Sequence, residues 1–548
     1  RMFLEGMFPN LITFICSLKA CGSIGAIRKG LEIHAGIEEL KLPEQDIAAS
    51  TSLIDMYAKC GSLEKAKEVL YRLGNRDVVA WNALIVGYTE HGHHEEVLKH
   101  LEQMQLEGVS PDSVTLVSTL RACLRMGAFV KGQEIQAEIE RNGFLESKTG
   151  IGNVVVDIYV KHGLLAEAKR VFNKLPVRDV LAWNMLITGY VEHRQEEKAL
   201  ECFEEMQFQG LHPSAITYVC CLKACGILQA IDKGREIHGE VERQCLPERN
   251  MVVGNALVDM YIKCGLREKA HCVFDNLQTR DVVTWTSLIS GYADHGKPEQ
   301  AINLFEHMIH ENVMPNAITF LSILKACSVI GDPKQCDYIH SKIEKHGLFE
   351  KDHVLGTMLV DAYAKCGSFS KARDVFEKIP VQDVVLWNTM ISGYVQQEHH
   401  EEALKCFDQM HVRGISPNAA TFVSITKACC SIGSTNKMAE IHAEIERLGL
   451  LEKCTVVGSS LVDMYSKSGN LTKAEHVFHK LSIQDRVSWT ILMGGYAQLG
   501  QIENVLLIFE RMLGEGIKPD PVAFLVVLDT CTRAGLVNKG YSYYEAMS

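Results

Sequence analysis

The chain has 548 residues, 47% hydrophobic and 23% charged, with a mean hydropathy of zero and a net charge of −12. No uninterrupted apolar run approaches the ~20 residues that span a bilayer, and 13 prolines without a low-complexity stretch leave little room for disordered linkers. The acidic balance argues against a broad basic face for nucleic acid, while leaving room for a local ladder of cations.

In chain order, the opening RMFLEGMFPN matches RMLGEGIKPD at 511–520, so the sequence starts inside a repeating unit and any targeting segment is expected to lie before it. The only five tryptophans, Trp81, Trp183, Trp285, Trp387 and Trp489, are each 102 residues from the next. One long unit duplicated in tandem builds a stack. Within 78–112, Trp81, Leu84, Ile85 and Tyr88 form one apolar helical face, Gly92 breaks it, and Val97, Leu98, Leu101 and Met104 form a second stripe ended by Gly108 and Pro111. Two antiparallel helices result. The 36-residue unit 113–148 and the 31-residue unit 149–179 repeat the pattern.

Units therefore begin at 11, 47, 78, 113, 149, 180, 215, 251, 282, 317, 353, 384, 419, 455, 486 and 521. A partial unit 1–10, fifteen complete units over 11–520 and a partial unit 521–548 make a single array. No hairpin can bury its stripe alone, so neighbours must stack into an all-α solenoid of tandem helix-turn-helix repeats.

Several of the 19 cysteines recur in phase: Cys60, Cys264 and Cys366 in KCG, and Cys21, Cys123, Cys225, Cys327 and Cys429 after Lys/Arg-Ala. Without a C-x-x-C pair they read as small buried hydrophobes in a reducing compartment. Neither a metal nor any other cofactor is implied. The tryptophans read as packing residues between the first helices of successive pairs. His91, His93, His94, His399 and His400 read as solvated turn residues. His238–Glu240 and His442–Glu444 have the H-x-E of zinc deaminases, but no P-C-x-x-C follows, so that match reads as accidental. No nucleophile elbow, phosphate loop or paired catalytic carboxylates appear, so the chain is not expected to be an enzyme.

The string W-N-x-L-I-x-G-Y, with G-x-x-P-D/N at the unit end and M-Y-x-K-C-G in the short unit, resembles the pentatricopeptide repeat family of land plants. The 35/36/31 alternation resembles its PLS subclass. The resemblance implies a right-handed superhelix whose first helices line the concave face, with single-stranded RNA threaded along it. One nucleotide is read per repeat by the fifth and last residues of each unit. The Watson–Crick edges of G and U present a ring N–H that wants an acceptor, whereas A and C present a bare nitrogen that wants a donor. Asp only accepts, while Asn and Ser donate, so the last residue sorts G/U from A/C. By resemblance, Thr or Ser at the fifth position favours purines and Asn favours pyrimidines.

Carried over, Thr51/Asp77 implies G, Asn82/Asp112 U, Asn153/Asp179 U, Asn184/Ser214 C and Asn255/Asp281 U. Thr286/Asn316 implies A, Thr357/Asp383 G, Asn388/Asn418 C or U, and Ser459/Asp485 and Thr490/Asp520 G. The long units place Ile15, Val117, Val219, Leu321, Val423 and Leu525 at the fifth position, and an aliphatic chain offers a base no hydrogen bond. The expected target is nGUnUCnUAnGYnGGn, read 5′ to 3′. Val79, Leu181, Val252, Val283, Val354, Val385, Val456 and Val487, at second positions, are expected to pack against bases, whereas Gly150 offers no such surface. Lys59, Lys161, Lys263, Lys365 and Lys467, thirteenth in every short unit, are expected to contact phosphates and so offset the acidic balance.

Each terminal Asp or Asn is also a good helix N-cap. Capping alone does not explain the alternation of Thr and Asn at the fifth position. The resemblance implies a monomeric RNA-binding array in a mitochondrion or chloroplast, with no membrane partner. It would select a cytidine for C-to-U editing by a C-terminal extension, editing cofactors or a deaminase-bearing partner. An acidic protein-binding scaffold is the alternative.

Overall fold

The computed structural model describes residues 9–39, 46–145, 150–244, 246, 250–349 and 352–547. Residues 1–8 of the partial unit 1–10 and the unit start at 149 lie outside them. Among the described residues every regular element is an α-helix, none of them long and apolar enough to cross a membrane. They form two compact units, Arg1–Gln278 and Thr279–Ser548.

In the first compact unit the leading helix of each hairpin is Leu11–Ile24, Ile47–Lys59, Val78–Glu90, Ser113–Arg125, Ile151–Lys161, Val180–Glu192, Ala215–Leu228 and Met251–Lys263. In the second these are Val282–Asp294, Ala317–Ile330, His353–Lys365, Val384–Gln396, Ala419–Ile432, Thr455–Lys467, Arg486–Gln498 and Pro521–Arg533. Ile151–Lys161 starts late because Gly150, at φ +71°, takes a left-handed backbone that cannot continue into the helix. Within each compact unit a leading helix packs on its own second helix and on the leading helix of the next hairpin. Within each compact unit the leading helices thus form one layer, called inner below, and the second helices another, called outer.

The apolar stripes supply the core. Trp81, Leu84, Ile85 and Tyr88 are buried on one helix, and Val97, Leu101 and Met104 on its partner. All five tryptophans are buried, and Trp183, Trp387 and Trp489 find their aromatic partners on second helices rather than on inner ones. Phe172, Phe376 and Phe478, on the second helix of the preceding hairpin, meet Trp183, Trp387 and Trp489 edge-on with ring centroids 4.5, 4.8 and 4.7 Å apart. Each ring bridges the two layers rather than lying within one.

The glycine of W-N-x-L-I-x-G-Y has a steric reason. A Cβ on Gly87, Gly189, Gly393 or Gly495 would come within 2.4–2.6 Å of Ala58, Val160, Ala364 or Ser466 on the preceding leading helix. Only glycine admits that approach.

The outer layer is tied down by a recurring polar contact. His34, His238, His340 and His442 bring Nδ1 to 2.7–3.0 Å from the hydroxyls of Tyr57, Tyr261, Tyr363 and Tyr465 on the following short hairpin. The two H-x-E histidines therefore do structural work, and Glu242 and Glu446, rather than Glu240 and Glu444, face their Nε2 atoms. Gln136, bonded at 2.6 Å to Tyr159, replaces histidine once.

His100 is a different case: it is buried against the rings of Trp81 and Tyr88. Desolvation, helped by the Lys67 charge, lowers its pKa to about 4. Its unfolded value is about 6.5, so the unfolded chain binds more protons between these two values. Acid therefore costs stability across that window, by about 1–2 kcal/mol after allowing for partial hydration. Thermal unfolding between pH 7 and 4.5 should fall less steeply in His100→Phe than in the parent chain. Parallel curves would rule this histidine out.

Candidate nucleic-acid interface

The last residue of each 35- and 31-residue unit sits just before the next leading helix, and all ten of these terminal residues cap it. The Oδ1 atoms of Asp77, Asp179, Asp281, Asn316, Asp383, Asp485 and Asp520 accept the third backbone N–H at 2.7–2.9 Å. Asp112, Ser214 and Asn418 accept the equivalent bond at 3.0, 3.3 and 3.1 Å. Capping is thus a property of all ten terminal residues of the 35- and 31-residue units, whereas Cys454, at the end of a long unit, makes no side-chain cap.

In the 35-residue units the fifth residue reaches that cap. Asn82 Nδ2 donates to both carboxylate oxygens of Asp112 at 2.9 Å, Asn184 Nδ2 to Ser214 Oγ at 2.9 Å, and Asn388 Nδ2 to Asn418 Oδ1 at 2.9 Å. Thr490 Oγ1 lies 3.5 Å from Asp520 Oδ1. Thr286 and Asn316 are joined through Thr319, at 2.7 and 2.9 Å. Five predicted pairs thus meet directly or through one hydroxyl.

The short units hold their pairs more loosely. Asn153 Nδ2 is 3.5 Å from Asp179 Oδ1. Thr357 turns its hydroxyl back to the His353 carbonyl at 3.1 Å, and the hydroxyls of Thr51 and Ser459 are buried with no protein hydrogen-bond partner. Asn255 is half-buried on the last leading helix of the first compact unit, whereas Asp281 caps the first helix of the second.

The third residue of the long units was not singled out from sequence. Thr115, Thr217 and Thr421 are buried, and each donates its hydroxyl to the Oδ1 of Asn82, Asn184 or Asn388 at 2.5–2.6 Å. The same hydroxyls, with that of Thr319, close capping boxes with the terminal residues. The signal was present as SVT, AIT, AIT and AAT at the start of four long units. Each threonine fixes the amide orientation of the preceding asparagine, presenting Nδ2 toward the terminal residue.

Beside these pairs stand exposed aliphatic side chains. Val79, Leu181, Val252, Val283, Val354, Val385, Val456 and Val487 are 47–60% exposed on otherwise buried helices. Ile12, Val114, Ile216, Ile318 and Val522 hold the same second position in long units and are 48–69% exposed. Sequence reading passed over these five because the fifth residues of those units are aliphatic. Those fifth residues, Ile15, Val117, Val219, Leu321 and Val423, are half-buried, and Leu525 is exposed.

The lysine ladder is not a source of excess positive charge. Lys59, Lys161, Lys263, Lys365 and Lys467 each pair with an aspartate one turn earlier, Asp55, Asp157, Asp259, Asp361 and Asp463, at 2.7–2.8 Å. Such exposed pairs are worth well under ~1 kcal/mol. The ammonium groups stay available to an anion, but the ladder is electrically balanced and leaves the acidic surface acidic.

Of the turn histidines, His91, His93 and His399 are exposed, as expected, while His94 and His400 are half-buried. His91 Nε2 contacts the Ala58 carbonyl at 2.8 Å, and the Nδ1 atoms of His94 and His400 are buried by the turn that brings them onto their helices. Among the described residues no group of three His, Cys, Asp or Glu could hold a metal ion.

Comparison with known proteins agrees with this architecture. A profile described as the PPR repeat family matches residues 76–125, 178–226, 280–328 and 382–431, and one described as the PPR repeat matches 49–78, 153–180, 357–384, 459–482 and 487–517. These profiles describe repeats, not a catalytic domain. A pentatricopeptide repeat-containing protein of Arabidopsis thaliana is 32% identical over 97% of this chain and 76% of its own length. A chloroplastic relative from the same plant is 30% identical over 98% of this chain and 59% of its own, and a mitochondrial one 31% identical over 98% and 70%. Across the most similar relatives the chain spans between 57% and 76% of their length. The crystal structure of the pentatricopeptide repeat protein PPR10 in complex with an 18-nt psaJ RNA element superposes with a TM-score of 0.56 at 20% identity, over 99% of this chain and 87% of that one. With a relative this similar along nearly its whole length, the chain belongs to the pentatricopeptide repeat family.

Proposed function

We propose that this chain binds single-stranded RNA, one nucleotide per repeat, through the fifth and last residues of the 35- and 31-residue units. The observation that supports this most is the Asn82–Asp112 contact. A polar pair bridges two successive hairpins beside an exposed valine, and only one of its carboxylate oxygens is needed for capping. A base seated there meets an apolar surface and a hydrogen-bonding edge together. The RNA-bound neighbour adds support at the level of the fold. The proposed target remains nGUnUCnUAnGYnGGn, and the PLS assignment rests on the unit lengths.

By the same reading the array works in a chloroplast or mitochondrion and positions a transcript for C-to-U editing. The deamination would be carried by a further domain or a partner protein. The balanced lysine–aspartate ladder and the net charge of −12 favour a second reading, a scaffold for proteins. Fluorescence anisotropy separates the two. RNA binding predicts that the target binds at least tenfold more tightly than a scrambled 16-mer. Equal, weak and salt-insensitive binding of both would favour the scaffold.

The ladder makes its own prediction. Lys263→Ala should weaken all sequences alike, because phosphate contacts carry no base information. The slope of log K against log salt should drop by about 0.7, the value for one phosphate on a single strand. A changed base preference would contradict the assignment.

A further inference from the structure

Cys366 belongs to a repeating set. Cys60, Cys264 and Cys366 follow the leading helices of short hairpins and direct their thiols at the carbonyls of Cys21, Cys225 and Cys327, at 3.8–3.9 Å. Cys336 does not repeat. Its place in the other long units is held by Gly30, Gly132, Gly234 and Met438. At two of those glycines a Cβ would collide with a methionine of the next hairpin, 2.4 Å from Met56 Sδ and 2.8 Å from Met260 Sδ. Here alanine, Ala362, stands where those methionines do, and the space they filled is open to a side chain from the other helix. The paired exchange places Cys336 Sγ 3.4 Å from Cys366 Sγ. Cys336 is buried and Cys366 partly exposed.

We propose that Cys336 and Cys366 close into a disulfide when the protein meets a peroxide, stapling helix Pro333–Lys345 to the end of helix His353–Lys365 on the next hairpin. The Cys366 thiolate attacks one peroxide oxygen, the O–O bond breaks, and a sulfenic acid and hydroxide form. Cys336 then attacks the sulfenic sulfur, expelling the second oxygen as water. Two S–H bonds are lost, one S–S bond forms, and one hydrogen peroxide becomes two waters. The two sulfurs need to close by little more than an ångström to reach bonding distance.

The neighbouring Cys327 thiol and burial hold Cys336 up at about 12, and the contact with Cys336, with burial, raises Cys366. The reaction should therefore be slow at neutral pH and quicken about tenfold per pH unit as the thiolate fraction grows. The staple would fix the angle between two neighbouring hairpins at the repeat carrying Thr357.

The test uses the full chain treated with hydrogen peroxide, alkylated, and digested without reductant for mass spectrometry. A peptide joining Cys336 to Cys366, two hydrogens lighter and lost on adding dithiothreitol, is expected in the parent. It should be absent in Cys336→Ser, where dimedone should instead trap a sulfenic acid at Cys366 several-fold more than in the parent. No joined peptide, a Cys366–Cys327 link in its place, or equally ready linking of Cys60 to Cys21 would each overturn the proposal.

Discussion

Replacing Trp387 with alanine is expected to cost about 3–5 kcal/mol locally, the range for emptying a large buried aromatic site. The ring is buried, meets Phe376 edge-on at 4.8 Å, and has the Arg413 guanidinium 5.5 Å from its centroid. Phe376 lies on the preceding hairpin, so truncation opens a junction between repeats as well as one helix pair. In a stacked array each hairpin leans only on its neighbours. The loss should therefore stay local. Amide exchange should accelerate in 369–378 and 384–412, while 486–514 keeps its protection. Val385→Ala, two residues away but 56% exposed, should change stability by less than about 0.5 kcal/mol. A uniform loss of protection along the whole chain, or none near residue 387, would mean that this ring does not hold the junction.

The contrast between Trp387 and Val385 also shows what was legible in the sequence. Apolar residues at helical spacing report burial directly, so Trp81, Leu84 and Ile85 announce their helix and its buried face. Val385 interrupts that face, and an apolar residue at an exposed register position marks a surface with another use. The eight second positions came instead from the family resemblance, and it was not carried to Ile12, Val114, Ile216, Ile318 and Val522. There the nonpolar fifth residue marks the unit as one that reads no base. What periodicity cannot report is which polar group meets which across a junction. The bonds from Thr115, Thr217 and Thr421 to the asparagines 33 residues earlier depend on how two hairpins stack. So does the placement of the tryptophans against second-helix phenylalanines. Thr357, by contrast, turns back to the His353 carbonyl, the local bond open to any helical threonine. The aspartates beneath the lysine ladder were in plain view at i−4. Counting the lysines without these partners overstates the positive charge of the ladder.

Exchanging Asp112 for asparagine should move the preference of its repeat from U toward C by about tenfold, roughly 1.4 kcal/mol, with little change in stability. Capping and base reading normally confound each other at this position, because removing the side chain removes both. The structure contains the control. In the unit ending at Asn418, one amide oxygen caps the Thr421 N–H, accepts from Asn388 at 2.9 Å and takes the Thr421 hydroxyl at 3.1 Å. The amide nitrogen of Asn418 is not needed for any of these bonds. Asp112 uses Oδ1 in the same three ways and for the Val114 N–H besides, and its Oδ2 accepts from Asn82 alone. In Asp112→Asn the new amide can therefore adopt the arrangement already present at Asn418, keeping the cap at nearly equal strength. The exchange converts an acceptor into a donor at the one atom that capping does not require. Competition binding with the target carrying U or C at the third nucleotide reads the result, alongside a melting curve to confirm the fold. If the melting curve is unchanged and U is still preferred as before, the terminal residue serves only as a cap. A swing toward C at constant stability would come from the exchanged atom and not from a lost cap, because the Oδ1 bonds to Asn82 and Thr115 are preserved and only the second Asn82 contact, at Oδ2, is given up.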